Sequence, residues 1–207
     1  MVLVVDYGMG NVGSVLNALN YLGAKGIVSN KKSDFKKASH IILQGVGSFG
    51  DGMSNLRAAG LADILNNEVL ENQKPFLGIC LGMQMLAGRG EEGGKHKGLG
   101  WIKGTVRRFR VNEKKFRLPH VGWNDVSIEE KSVLFDGVNN PIFYFVHSYH
   151  FEISEKGIIE GKCKYGETFN AVVEKGHIFG VQFHPEKSQG EGIKVISNFI
   201  NLKNESG

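Results

Sequence analysis

The chain has 207 residues, 41% apolar and 22% charged, with a formal charge of +4. Such a length fits one domain with a substantial core, and the composition excludes a disordered chain. Glycine is unusually frequent, 29 residues against 4 prolines, without the periodicity of collagen or of low-complexity sequence, so the excess is expected in turns.

Met1 to Val5 is an apolar run that stops at Asp6, too short for a signal-peptide core. No later stretch approaches the ~20 apolar residues of a membrane span, so a cytoplasmic protein is expected. Residues 2 to 5 read as a buried strand. Ser14 is placed to cap a helix with Val15, Leu16, Leu19 and Leu22 on one face, ended by Gly23. Ile41-Ile42-Leu43 reads as a strand, followed by a glycine-rich loop, a helix through Leu61, Ile64, Leu65 and Val69, and a strand from Phe76 to Ile79. This alternation implies parallel strands with helices on both faces.

Beyond residue 98 strand formers dominate: Trp101-Ile102, Thr105-Val106, Ile142 to Val146 and Ala171 to Val173. Lys175-Gly176 fits a hairpin turn before a strand from Ile178 to Phe183, and Ile193, Ile196, Phe199 and Ile200 form the apolar face of a last helix. The expected architecture is a single α/β domain over residues 1–207, a mostly parallel central sheet flanked by helices with an antiparallel strand extension.

The positive charge is concentrated. Between Lys103 and Arg117 there are seven basic residues and one acidic, Glu113, and the remainder of the chain is slightly acidic. Exposed strands with a solvated face explain this segment, a docking face for a partner or anionic ligand being the alternative. No nucleic-acid module accompanies it, and neither a nucleic-acid nor a membrane partner is expected.

Gly8-Met9-Gly10-Asn11-Val12-Gly13 fits the dinucleotide fingerprint formally. The second strand, however, ends at Lys31-Lys32 where a ribose-binding acid is needed, so a tight strand-to-helix turn is the better explanation. Gly78-Ile79-Cys80-Leu81-Gly82 is stronger, because an apolar strand leads into it and helix formers follow, the pattern of a nucleophile elbow. A lone cysteine is more often structural, but glycines two residues either side meet the steric demand of the bend, and a helix N-terminus at the sulfur favours thiolate. Cys163 has no such frame and is expected to be structural or surface.

A thiolate needs a base, and the base an orienting group. His184-Pro185-Glu186 offers both, if Pro185 keeps the chain extended so that His184 and Glu186 project to one side. Oxyanion donors are expected from the Leu81 N–H and from Gly45-Val46-Gly47, where flanking glycines let the Val46 peptide turn inward. His147 and His150 have a weak metal spacing. In a strand they would face opposite ways, and aromatic packing around Tyr144, Phe145, Tyr149 and Phe151 is favoured; neither metal nor cofactor is expected.

Gly78 to Gln84 together with His184-Pro185-Glu186-Lys187-Ser188 resembles the class I (triad) glutamine amidotransferases. Asp6 to Asn11, Gly45-Val46-Gly47, Leu118 to Asn124 and Tyr144 to Tyr149 narrow the resemblance to glutaminase subunits of imidazole glycerol phosphate synthase, over residues 3 to about 200. The resemblance implies Cys80 as nucleophile on the glutamine side-chain amide, His184 as acid and base, and Glu186 as its orienter. It further implies Val46 and Leu81 as oxyanion donors, and Gly47, Gln84 and the Ser148 backbone as glutamine contacts. Asn11 and Lys187 would face a (β/α)₈ cyclase subunit that receives the ammonia and activates the glutaminase. This chain departs from the family at Gln44, where proline is usual, and at Trp101 and Lys103. The departures keep open a paralogue that feeds ammonia to a sugar amidotransferase of surface-polysaccharide biosynthesis. A stand-alone cysteine hydrolase or peptidase is the reading from another class.

Overall fold

The structure, a computed structural model, describes residues 1–128 and 130–203. Four apolar runs become the parallel strands β1 (Val2–Val5), β2 (Gly26–Ser29), β3 (His40–Gly45) and β4 (Phe76–Cys80). They pair in the order β2-β1-β3-β4, and the late strand Ile178–Val181 joins β4 in parallel. Three antiparallel strands, Glu167–Lys175, Ile159–Tyr165 and Ser127–Ile128, complete this eight-stranded sheet. The mostly parallel sheet with an antiparallel extension is therefore the observed architecture.

Side chains alternate across the sheet and feed two cores. Leu3, Val5, Ile41 and Leu43 pack on one face with Phe49, Met53, Leu61 and Leu65 from the helices there. Val2, Val4, Ile42 and Ile79 pack on the other with Val15 and Leu19 of α1 (Val12–Tyr21) and with Val195, Ile196 and Phe199 of the last helix, Gln189–Ile200. Both faces are covered, as a parallel sheet of continuous apolar runs requires.

Some local expectations are corrected. Helix α1 is capped by Asn11, whose Oδ1 accepts from the Ser14 N–H at 3.3 Å; Ser14 lies inside the helix. After α2 (Lys32–Lys37), helix α3 (Phe49–Ala58) occupies part of what reads as a glycine-rich loop. Its glycines serve packing: a Cβ at Gly52 would lie 3.0 Å from Leu81, and one at Gly50 2.8 Å from the His96 ring. The helix expected through Val69 does reach it, but only Leu61–Leu65 is α-helical and Asn66–Glu71 is a π-helix. The strand expected to reach Phe183 ends at Val181.

Two further sheets lie beyond the main one. Ile142–His147 pairs antiparallel with His120–Asp125, and a four-stranded sheet is built from Tyr149–Ile153, Ile102–Arg108, Ala87–Gly90 and His96–Lys97. The basic segment is only partly an exposed strand. Arg107 is buried between Glu152 and Glu167, Phe109 is buried beside it, and Arg108 pairs with Glu113.

Candidate active site

Parallel pairing brings three loops to one edge. Gly45 of β3 lies opposite Cys80 of β4, and Val181 lies opposite Ile79. The segments that leave the carboxyl ends of these neighbours, 45–47, 80–82 and 182–184, therefore converge where open α/β sheets place their ligands.

Cys80 has φ +55° and ψ −108°, a conformation that few residues other than glycine adopt. The bend is possible because a Cβ on Gly78 would lie 2.6 Å from the Gly82 carbonyl oxygen, and one on Gly82 would overlap the Leu43 carbonyl. Both elbow glycines are thus required by backbone contact. The helix after the elbow is a single turn, Leu81–Gln84, shorter than the sequence suggests, so its dipole contributes little. As the first helical residue, Leu81 has an N–H with no intrahelical acceptor.

His184 and Glu186 meet, though not by the expected route. Pro185 opens a 3₁₀ turn over Pro185–Lys187, and that turn folds Glu186 back so that His184 Nδ1 donates to its Oε1 at 2.8 Å. Both side chains are buried. The His184 N–H donates to the Tyr144 carbonyl, Ser188 Oγ donates to the His184 carbonyl, and the Tyr144 N–H donates to Ser188 Oγ, which locks the segment onto the strand Ile142–His147. Burial opposes a proton on His184. Hydrogen bonding and Coulomb attraction to Cys80 and Glu186 outweigh it and push its pKa up to about 10. Nε2 turns its proton toward the sulfur, although among the described residues the geometry falls short of a closed hydrogen bond. Cys163, by contrast, is buried and its thiol is pushed up to about 12 by that burial, consistent with a structural role.

A cavity of about 220 Å³ opens beside Cys80, with Val46, Gly47, Leu81, Gln84 and Ser148 in its wall. The structure thus brings together every residue expected to contact substrate. Gly47 has φ +112°, which favours glycine at this turn. The Ser148 carbonyl already accepts from the Phe109 N–H. Asn11 and Lys187 are exposed and lie apart from the cavity, the turn of Lys187 packing against α1.

Two residues were not anticipated. Glu92 lines the cavity and accepts from the Phe49 N–H at 2.8 Å, tying the loop after Ala87–Gly90 to the start of α3. Its sequence context, Glu91-Glu92-Gly93-Gly94, reads as a surface turn and carries no signal. Gln182 donates to Cys80 Sγ at 3.7 Å. A signal for it exists, since Gln182 stands two residues before His184 in the sequence.

His147 and His150 lie on either side of a bend at Ser148, and both rings pack on Phe109, with centroids at 5.2 and 4.9 Å. The expectation of opposite faces fails because they do not share one strand. Among the described residues no group of three His, Cys, Asp or Glu side chains has a metal-binding arrangement.

The family profile for class-I glutamine amidotransferase matches residues 3–202, and the chain belongs to that family. Subunit HisH 2 of imidazole glycerol phosphate synthase from Methanococcus maripaludis is 46% identical, over 97% of this chain and 98% of its own. The HisH 2 subunit of Pseudomonas aeruginosa is 44% identical, over 98% of this chain and all of its own. A solved glutamine amidotransferase with 20% identity superimposes with a TM-score of 0.76 over 97% of each chain, a likeness of fold.

Proposed function

We propose that this chain is a glutaminase that supplies ammonia as the HisH-type subunit of imidazole glycerol phosphate synthase, with a (β/α)₈ cyclase subunit as its partner in histidine biosynthesis. The observation that carries the chemistry is the buried His184–Glu186 pair held beside a cysteine on a left-handed elbow. The near-full-length similarity to HisH subunits supports the assignment of the acceptor.

In this reading the Cys80 sulfur attacks the side-chain amide carbon of glutamine. The S–C bond forms, the C–N bond breaks, and His184 gives its Nε2 proton to the leaving nitrogen, so that ammonia and a γ-glutamyl thioester result. Neutral His184 then takes a proton from water as the oxygen bonds to the same carbon; the C–S bond breaks and glutamate leaves. Glu186 keeps the imidazole in one orientation and steadies its charge. The Val46 and Leu81 N–H groups face the charge that develops on the carbonyl oxygen. Gly47, Gln84 and the Ser148 N–H hold the amino-acid end of glutamine, and the Glu92 carboxylate adds a site for its α-ammonium.

Asn11 and Lys187 mark the proposed partner face. Val121 and Trp123 are exposed on the strand His120–Asp125, and Trp123 lines a groove with Ser188 and Gln189 next to Lys187. Exposed aromatic and apolar side chains near Lys187 suit a subunit interface.

A second reading keeps the chemistry and changes the acceptor. Gln44 replaces the usual proline, and its side chain is fully buried, with neither Nε2 nor Oε1 bonded among the described residues. A sugar amidotransferase of surface-polysaccharide biosynthesis is then the recipient of the ammonia, and capture of partners from native extract separates the two acceptors.

The test is glutamate release from glutamine, alone and with the co-purified barrel subunit and its nucleotide ligand. Wild-type protein is expected to turn over faster with the partner, and Cys80→Ala to fall by at least ~10³-fold. Retention of the wild-type rate in Cys80→Ala overturns the reading.

A further inference from the structure

Three residues in a row, Gln182, Phe183 and His184, follow the strand Ile178–Val181, with the Gln182 N–H still donating to the Ala171 carbonyl. The chain bends at Gln182 and Phe183. Phe183 turns into the core, where it stacks on Phe143 with ring centroids 3.9 Å apart. Gln182 and His184, on either side of it, both reach Cys80.

Gln182 is fully buried, and both ends of its carboxamide are used. Nε2 donates to Cys80 Sγ at 3.7 Å, and Oε1 accepts from Gln84 Nε2 at 3.0 Å. Gln84 Nε2 also donates to the Tyr149 carbonyl at 2.9 Å, which spends its second hydrogen. These bonds fix both amide orientations. Turning Gln182 over would set its oxygen against the sulfur, and turning Gln84 over would set two oxygens together at Tyr149. Gln84 is left with Oε1 to offer, an acceptor suited to the N–H groups of glutamine.

The neutral thiol has a different partner. Cys80 Sγ lies 4.0 Å from the Val146 carbonyl, an acceptor that suits S–H and opposes a negative sulfur. Among the described residues Gln182 supplies the one side-chain N–H with a closed hydrogen bond to the sulfur, and it carries no charge of its own to lose.

We propose that Gln182 is a further catalytic residue of this site: its carboxamide N–H stabilises the Cys80 thiolate and aims it, while its oxygen links the nucleophile to the glutamine-contacting Gln84. A hydrogen bond to a charged acceptor is stronger than one to a neutral group, and in a buried site it is not replaced by water. No proton leaves Gln182 at any step. The inference rests on the reading of Cys80 as nucleophile.

The test uses Gln182→Met, which keeps the length and removes the donor, and Gln182→Glu, which keeps the shape and opposes negative sulfur. Two readouts are taken on the full chain: steady-state glutaminase kinetics with the partner, and the pH profile of Cys80 alkylation by iodoacetamide without it. The titratable groups that face Cys80 remain in both variants: His184, Tyr7 from the loop after β1, and Glu92 and His147 in the cavity wall. Expected are a kcat about tenfold or more below wild type with little change in KM. The alkylation profile is expected to move toward alkaline pH, with a rate at pH 6.5 about tenfold lower in Gln182→Met and lower still in Gln182→Glu. Should Gln182→Met fail to fold, Gln182→Glu alone decides. A wild-type alkylation profile in the folded variants overturns the proposal even if kcat falls, because a structural role alone would give that pattern. Loss of glutaminase in Cys80→Ala beside unaltered Gln182 variants defeats this inference and spares the proposed function.

Discussion

Four of the five buried histidines among the described residues divide into two regions that treat the same side chain in opposite ways. At the sheet edge His184 is pushed up to about 10, although burial by itself disfavours its charge. Across the cavity wall, His120, His147 and His150 sit in a box with Phe109, Phe169 and Tyr165, and burial pushes them down to about 4, 3 and 4. Burial is shared, so it does not decide the outcome. His184 has a carboxylate on one nitrogen and the Cys80 sulfur facing the other. His147 has the Tyr149 carbonyl on Nδ1 and the neutral His120 ring at 3.2 Å from Nε2. His150 approaches Glu167, but Arg107 holds that carboxylate and its positive charge disfavours a second. A histidine holds its proton in this protein where a negative partner is uncommitted, and packs as a neutral ring where it is not.

The largest expected effect comes from making His184 resemble its neighbours. Glu186→Gln removes the carboxylate while keeping the shape, and kcat for glutamine hydrolysis with the partner is expected to fall by about 10²–10⁴-fold. The same variant should bring the His184 imidazole NMR titration below that of the wild type. A wild-type kcat in Glu186→Gln would mean that orientation of the imidazole by Glu186 is dispensable.

Stability in acid reads out the other region. The folded values of the three box histidines lie below the ordinary value, so the unfolded chain takes up their protons first. Their contribution is complete above about pH 6.5 and is lost as the pH falls toward 4, at up to about 1.4 kcal/mol per pH unit for each histidine. His184 has the opposite sign: its contribution is present below about pH 6.5 and is lost as the pH rises through about 10. Urea unfolding at pH 7, 5.5 and 4.5 should show a steep acid loss. His120→Phe, which keeps a ring between Phe145 and Tyr165, should reduce that slope by about a third. An unchanged slope would place the acid sensitivity elsewhere.

What was legible in the sequence follows the range of the interactions. The elbow could be read because its steric conditions, Gly78 and Gly82, sit beside Cys80 in the chain. The His184–Glu186 pair could be read because the partners are two residues apart, even though Pro185 starts a turn where extension was expected. Helix α3 was hidden because Gly50 and Gly52 are small for the sake of His96 and Leu81, residues far along the chain. Glu92 and the histidine box were hidden for the same reason: each exists only once distant strands pair, as when His120 and His147 meet across the register of two antiparallel strands. Gln182 had the one local signal that went unread, its two-residue spacing from His184.

Covalent labelling tests most directly whether Cys80 is a nucleophile fitted to glutamine. Treatment with the glutamine-like electrophile 6-diazo-5-oxo-L-norleucine, followed by peptide mass spectrometry, should give a single adduct on Cys80, suppressed by excess glutamine and slowed in Glu186→Gln. An adduct on Cys163, or labelling of Cys80 that glutamine does not protect, would contradict it.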